Sequence, residues 1–186
     1  GNAKVTLNGA TISGNTASSN GGGIYLANGT SLEMLNGSTI STNSATNGAG
    51  VYAEAGSTLT LTSGSISNNT ATGDGGGIYA TGTTAAVILD GATVGGSAGN
   101  GNSAVNGGGV ALVSGAKLAM TAGATISHNT ASNRGGGIFA DNADSTVTVT
   151  DGFIDRNSAA YQGGGIYVGN GAEVNLTDTS VSHNSV

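Results

Sequence analysis

The chain has 186 residues, a formal charge of −6 from four Lys+Arg against ten Asp+Glu, 36 Gly, and no Pro, Cys or Trp. No basic stripe exists to neutralise phosphates, which excludes a nucleic-acid partner, and no apolar run approaches the length of a membrane span. With charged residues at 8%, such a chain either stays disordered or pairs its backbone extensively, and the order of its apolar residues decides for pairing.

In chain order, the first recurring element is a pair of apolar residues two positions apart. It reads Val5/Leu7, Leu32/Met34, Leu59/Leu61, Val87/Leu89, Leu118/Met120, Val147/Val149 and Val174/Leu176. Period-2 spacing predicts a strand with these residues inward and Thr60 or Thr148 outward. Thr58, Thr60 and Thr62 and Thr146, Thr148 and Thr150 share the outer side, but Lys4, Glu33, Ile88 and Lys117 interrupt them, so no flat Thr array forms. After the outward Thr comes a turn column, Asn8, Asn36, Ser63, Asp90, Ala122, Asp151 and Asp178. Asp151 and Asp178 would stand about 5 Å apart on adjacent coils, a separation that retaining glycosidases use. The rest of the column has turn composition, and no third group tunes the two acids, so no catalytic residue is assigned.

Next comes a single apolar residue in a short segment: Ile12, Ile40, Ile66, Val94, Ile126, Ile154 and Val181. His128, Arg156 and His183 follow it in one column, as a small anion patch or a solvated turn edge. Then Asn recurs before Ser or Thr at Asn15, Asn43, Asn69, Asn102, Asn129, Asn157 and Asn184. Stacked at turns, these amides predict a structural ladder, each bonding its own turn and the amides above and below.

The repeat closes with glycines and a third strand signal, Gly23-Ile24, Gly50-Val51, Gly77-Ile78, Gly109-Val110, Gly137-Ile138 and Gly165-Ile166. A phosphate cradle would need a helix after the glycines, and none is predicted. The residue after the branched one is Tyr25, Tyr52, Tyr79, Ala111, Phe139 or Tyr167. Alternation places this aromatic column outside, where it either binds a sugar or protein partner or stacks on itself. Asp141-Asn142-Ala143-Asp144 is oxygen-rich but short of the ligands that a calcium loop supplies; no metal or cofactor is expected.

The branched residues are spaced by 27, 27, 32, 28 and 28 positions, and the Asn residues by 28, 26, 33, 27, 28 and 27. Both markers lengthen together, which predicts an insertion loop over 95–101. Three short strands in about 27 residues predict one coil of an all-β, right-handed parallel β-helix. About seven coils stack here over residues 1–186 as a single domain, since one coil cannot bury its apolar side alone. The chain opens at Gly1 without an initiator Met and has no evident cap, as expected for a segment of a longer array.

Gly-Gly-Gly-Ile/Val combined with Ile-x-x-Asn resembles the β-helix repeats of bacterial and archaeal adhesin-like surface proteins. It is also similar to the polymorphic outer-membrane protein repeats, which pair a Gly-Gly-Ala-Ile step with Phe-x-x-Asn. This chain differs by carrying Ile or Val in place of that Phe. The resemblance implies a secreted or cell-surface module involved in adhesion. The lack of a cluster of Asp, Arg and Lys on one face favours a non-catalytic adhesive or structural rod, not an enzyme. Its partners would be host or neighbouring-cell surface proteins or glycans, with lateral self-association open to it. The alternative is a polysaccharide-binding or polysaccharide-cleaving β-helix, since the fold also hosts lyases and hydrolases. Tyr25, Tyr52, Tyr79, Phe139 and Tyr167 are the candidate binding residues.

Overall fold

Apolar residues at alternate positions, bounded by Gly, Asn or Ser, form strands too short to stand alone, and the chain solves this by coiling. The computed structural model describes residues 3–186 and is a right-handed parallel solenoid without helix among those residues. The domain expectation also covered Gly1 and Asn2, which lie outside the described residues.

The first face follows the glycines: Ile24–Leu26, Val51–Ala53, Ile78–Thr81, Val110–Val113, Ile138–Ala140 and Ile166–Val168 form a six-stranded sheet. The second is seven-stranded: Lys4–Asn8, Ser31–Leu35, Thr58–Leu61, Ala86–Asp90, Lys117–Thr121, Thr146–Thr150 and Glu173–Thr177. The third, also seven-stranded, comprises Thr11–Ser13, Thr39–Ser41, Ser65–Ser67, Thr93–Gly95, Ala124–Ser127, Gly152–Asp155 and Ser180–Ser182. Pairings in these three sheets are parallel and in register, so Leu59 lies between Leu32 and Val87, and Ile66 between Ile40 and Val94. Leu59, Leu61, Val147, Val149, Ile66 and Ile126 are wholly buried, as alternation predicts. Val5 and Leu176, on rungs with one neighbour each, are half-exposed.

A fourth sheet joins the three expected. Ser44–Ala45, Thr70–Ala71, Ser103–Asn106, Thr130–Arg134 and Ser158–Ala159 pair in parallel directly after the Asn column. The inward residue is always Ala: Ala45, Ala71, Ala104, Ala131 and Ala159 are buried, and Ala45, Ala49, Ala71 and Ala104 make a small second core. The Gly corner passes close to this sheet: a Cβ on Gly22, Gly76 or Gly108 would lie 2.5 Å from the carbonyl oxygen of Ser44, Ser103 or Thr130. The corner itself continues the ladder, with Gly50 N–H donating to Gly76 and Val51 N–H to Gly77.

The extra residues of the predicted loop lie between the strands Thr93–Gly95 and Ser103–Asn106. Gly95 ends its strand, and Gly96 and Ser127 exchange hydrogen bonds, the Ser127 hydroxyl donating to Gly96 O. Asn100 then rejoins the stack, accepting from the N–H and amide of Asn68.

Candidate functional site

The Asn ladder is the most ordered polar feature. Asn43, Asn69, Asn102, Asn129 and Asn157 are buried, Asn184 is half-buried and Asn15 exposed. In Asn69, Oδ1 accepts the backbone N–H and the Nδ2 amide of Asn43, at 2.9 and 3.0 Å. Its own Nδ2 donates to Asn102 Oδ1 and to the Ile40 carbonyl, each at 3.0 Å. One side chain therefore ties three coils and leaves no amide hydrogen unpaired. The same pattern repeats at Asn102, Asn129 and Asn157. This geometry serves the fold and offers no free group to a ligand.

A second polar ladder stands at the residue before the glycines, and the sequence reading missed it. Asn47 donates to Asn20 at 3.1 Å and accepts the Asp74 N–H. Asp74 Oδ1 accepts both the N–H and Nδ2 of Asn106, and Asn106 Oδ1 accepts from Asn133. The signal was an Asn or Asp ahead of the Gly corner in the first four coils, Asn20, Asn47, Asp74 and Asn106, masked by its ordinary turn composition and by Arg134 and Gln162 at the last two.

The aromatic column is outward, but its rings lie face to face. Tyr25, Tyr52 and Tyr79 stack with centroids 5.1 Å apart and planes within 10°, as do Phe139 and Tyr167. Ala111 separates the two stacks. Both faces of Tyr52 are covered, so the strip presents ring edges and hydroxyls, not flat faces for sugars. Tyr25 is 46% exposed, whereas Phe139, expected in the exposed strip, is 7% exposed; its ring is packed against Tyr167. The Tyr25 hydroxyl donates to Glu54, whose other oxygen accepts the Asn28 N–H. That bond, with burial and the Glu54 charge behind it, pushes the Tyr25 phenol up to about 12. Burial foremost, then Tyr52 and Asp74, does the same for Tyr79, also to about 12. Tyr52 is likewise raised, by burial and then by Glu54.

The other sequence candidates resolve into turns. Asp151 and Asp178 sit at φ +58° and +49°, like Asn36 and Ala122 in the same column. Both are exposed, so neither has the shielding that would tune a general acid. His128, Arg156 and His183 are likewise left-handed, matching Thr42 and Asn68 above them. Asp155 fills the expected anion patch from within: His183 Nδ1 lies 2.8 Å from its carboxylate, Ser182 donates to it, and Arg156 pairs with it. The His183 hydrogen bond above all holds the Asp155 carboxyl below its usual range. Asn142 and Asp144 are left-handed turn residues, and Asp141 accepts from Asn170.

Two shallow grooves of about 400 and 320 Å³ follow the corner between the first and second faces. Lys117, Asp144 and Glu173 edge the larger one, and Tyr52 and Glu54 the smaller. They abut at the turn holding Thr81, Gly82 and Thr83.

Comparison with known families agrees with this geometry. Residues 123–141 match the Chlamydia polymorphic membrane protein repeat, over the stretch that carries Ile126, Asn129 and the glycines before Ile138. No curated protein and no solved structure gives a match. Residues 2–118, well over half of the chain, match the right-handed β-helix region, and the chain belongs to that family.

Proposed function

We propose that the chain is a non-catalytic module of the cell surface, an adhesive or structural rod presented outside the cell. The observation that carries this reading is the polymorphic membrane protein repeat at residues 123–141, set in a rod of stacked coils. A solenoid offers long flanks at constant spacing, and its recurring Asn and Tyr residues are engaged with their own neighbours, which suits spacing and display. The partner is a surface protein or glycan of a host or neighbouring cell, met along a flank, and lateral association of rods would use the same flanks.

Beads coated with the chain, passed over cultured cells and over a glycan array, test the adhesive reading. Retention above that of beads carrying an unrelated acidic protein supports it, and equal retention removes it, leaving the structural rod. Incubation with polysaccharides tests the non-catalytic part, which the release of reducing or unsaturated ends would overturn.

A further inference from the structure

We propose that Arg134, with Tyr161 and Tyr167, forms a recognition site for an acidic sugar: the guanidinium takes the carboxylate and the Tyr161 ring takes the sugar face. The site lies where the repeat breaks its own rule. Equivalent positions before the glycines hold Asn20, Asn47, Asp74 and Asn106, all bonded into the second polar ladder. At the fifth coil the pairing shifts register, and Asn133 keeps the ladder contact by donating to Asn106 at 3.0 Å. Arg134 is thereby released from the ladder.

Its guanidinium instead lies 5.1 Å from the Tyr167 ring centroid and 5.9 Å from that of Tyr161. No carboxylate stands within ion-pair distance of it among the described residues, although the chain carries a net charge of −6. Its Nε is shielded from solvent and has no hydrogen-bond partner. A buried, unpaired donor is a cost that native structures rarely leave in place without use. Tyrosine rings engage the flat face of a guanidinium and leave its edge free, and that edge binds carboxylates through two parallel hydrogen bonds.

Tyr161 is the second departure from the repeat. The preceding coils carry Asn133 and Val105 where it stands, and at 63% exposure it is the most open aromatic side chain among the described residues. Its hydroxyl makes no hydrogen bond within them, and the open ring presents an apolar surface beside the guanidinium. A carboxylate on a pyranose ring fits this pair: the charge meets Arg134, and the C–H face of the ring meets Tyr161. A simple carboxylate uses half of the site, and a neutral sugar lacks its anchor.

The inference rests on the surface-module reading only for the kind of partner, and its test is separate. Isotope-labelled protein is titrated with glucuronate, acetate and glucose while backbone amide shifts are followed. Glucuronate should saturate shifts around Arg134, Tyr161 and Tyr167, acetate should need about tenfold more, and glucose should give none. Arg134→Met should abolish the response. Arg134→Lys keeps a cation over the rings, and with it the fold, but should still weaken glucuronate about tenfold for want of the planar fork. Tyr161→Ser should bring glucuronate down to the level of acetate and leave acetate unchanged. An Arg134→Lys response equal to the parent's, shifts centred elsewhere, or glucose matching glucuronate would overturn the site. Bead adhesion without glucuronate binding sinks this inference alone, and glucuronate binding without bead adhesion sinks the adhesive reading alone.

Discussion

Gly50 and Asn69 are shaped to one another: a Cβ on Gly50 would lie 3.1 Å from Asn69 Nδ2, 2.8 Å from Ile66 Cγ2 and 2.4 Å from the Gly77 carbonyl oxygen. The same clash recurs at Gly23 with Asn43 and at Gly77 with Asn102. The Gly and Asn markers stay in step along the chain because each Asn amide enters the room that a missing side chain leaves. Gly50→Ala should therefore destabilise by about 1–3 kcal/mol through overpacking, read as a lower urea midpoint with unchanged slope. Gly29→Asn is the control, since no atom lies within 4 Å of its Cβ position and Asn tolerates the φ of +74°. Equal losses in both variants would remove the steric account.

Asn69→Ala tests the ladder from the other side. It strips acceptors from the N–H and amide of Asn43 and a donor from the Ile40 carbonyl, all shielded from water. Orphaned buried groups cost about 1–3 kcal/mol, so the midpoint of unfolding should fall clearly. An unchanged denaturation curve would show that water or a shifted neighbour replaces those bonds.

Much of this was legible because one residue type repeats at one position. Seven apolar pairs and seven Asn residues predicted inward and outward faces that the coil reproduces. The fourth sheet was not legible, since its strands are about two residues long in three cases and its inward residue is Ala, which carries no strand signal. The Asn20, Asn47, Asp74 and Asn106 ladder was hidden by a change of residue type at one rung and by turn composition. The aromatic column was predicted outward, but alternation says nothing of ring orientation, and the rings turned their faces to each other.

The inside–outside assignment itself is tested on adjacent residues. Leu61 is wholly buried, whereas Thr60 on the other side of the same strand is only partly covered. Leu61→Asp places a charge in the core without a partner and should unfold at least its coil, seen as lost β-type circular dichroism. Thr60→Asp should leave the spectrum and thermal midpoint near those of the parent protein.

The raised phenols set an alkaline limit on stability. Tyr25 and Tyr79 hold their protons up to about 12 in the folded chain, against about 10 when unfolded. The unfolded state thus releases its protons first as pH rises. The stabilisation is complete below about 10 and is lost between about 10 and 12. Urea midpoints should stay level up to pH 10 and fall beyond it, while phenolate absorbance lags that of free tyrosine. Removing the Glu54 carboxylate by Glu54→Gln should lower the Tyr25 transition more than that of Tyr79, whose shift comes first from its own burial.

Replacing Tyr25, Tyr52 and Tyr79 together by Ser separates stability from recognition on the aromatic strip. Two stacked pairs are lost, each worth about 0.5–1.5 kcal/mol beyond buried area, so the midpoint should drop while the coil persists. The backbone ladder, both polar ladders and the aliphatic core are untouched by the change, which is why folding should survive it. Bead retention on cells or glycans should fall for this variant if the ring edges, the Tyr25 hydroxyl and the groove beside Tyr52 make the contact. Retention at the parent level in a folded variant would move recognition to another flank. Outright unfolding would instead make the stack a requirement of the coil, and in that event Tyr25→Phe, which keeps the stack but loses the hydroxyl bonded to Glu54, isolates the recognition part.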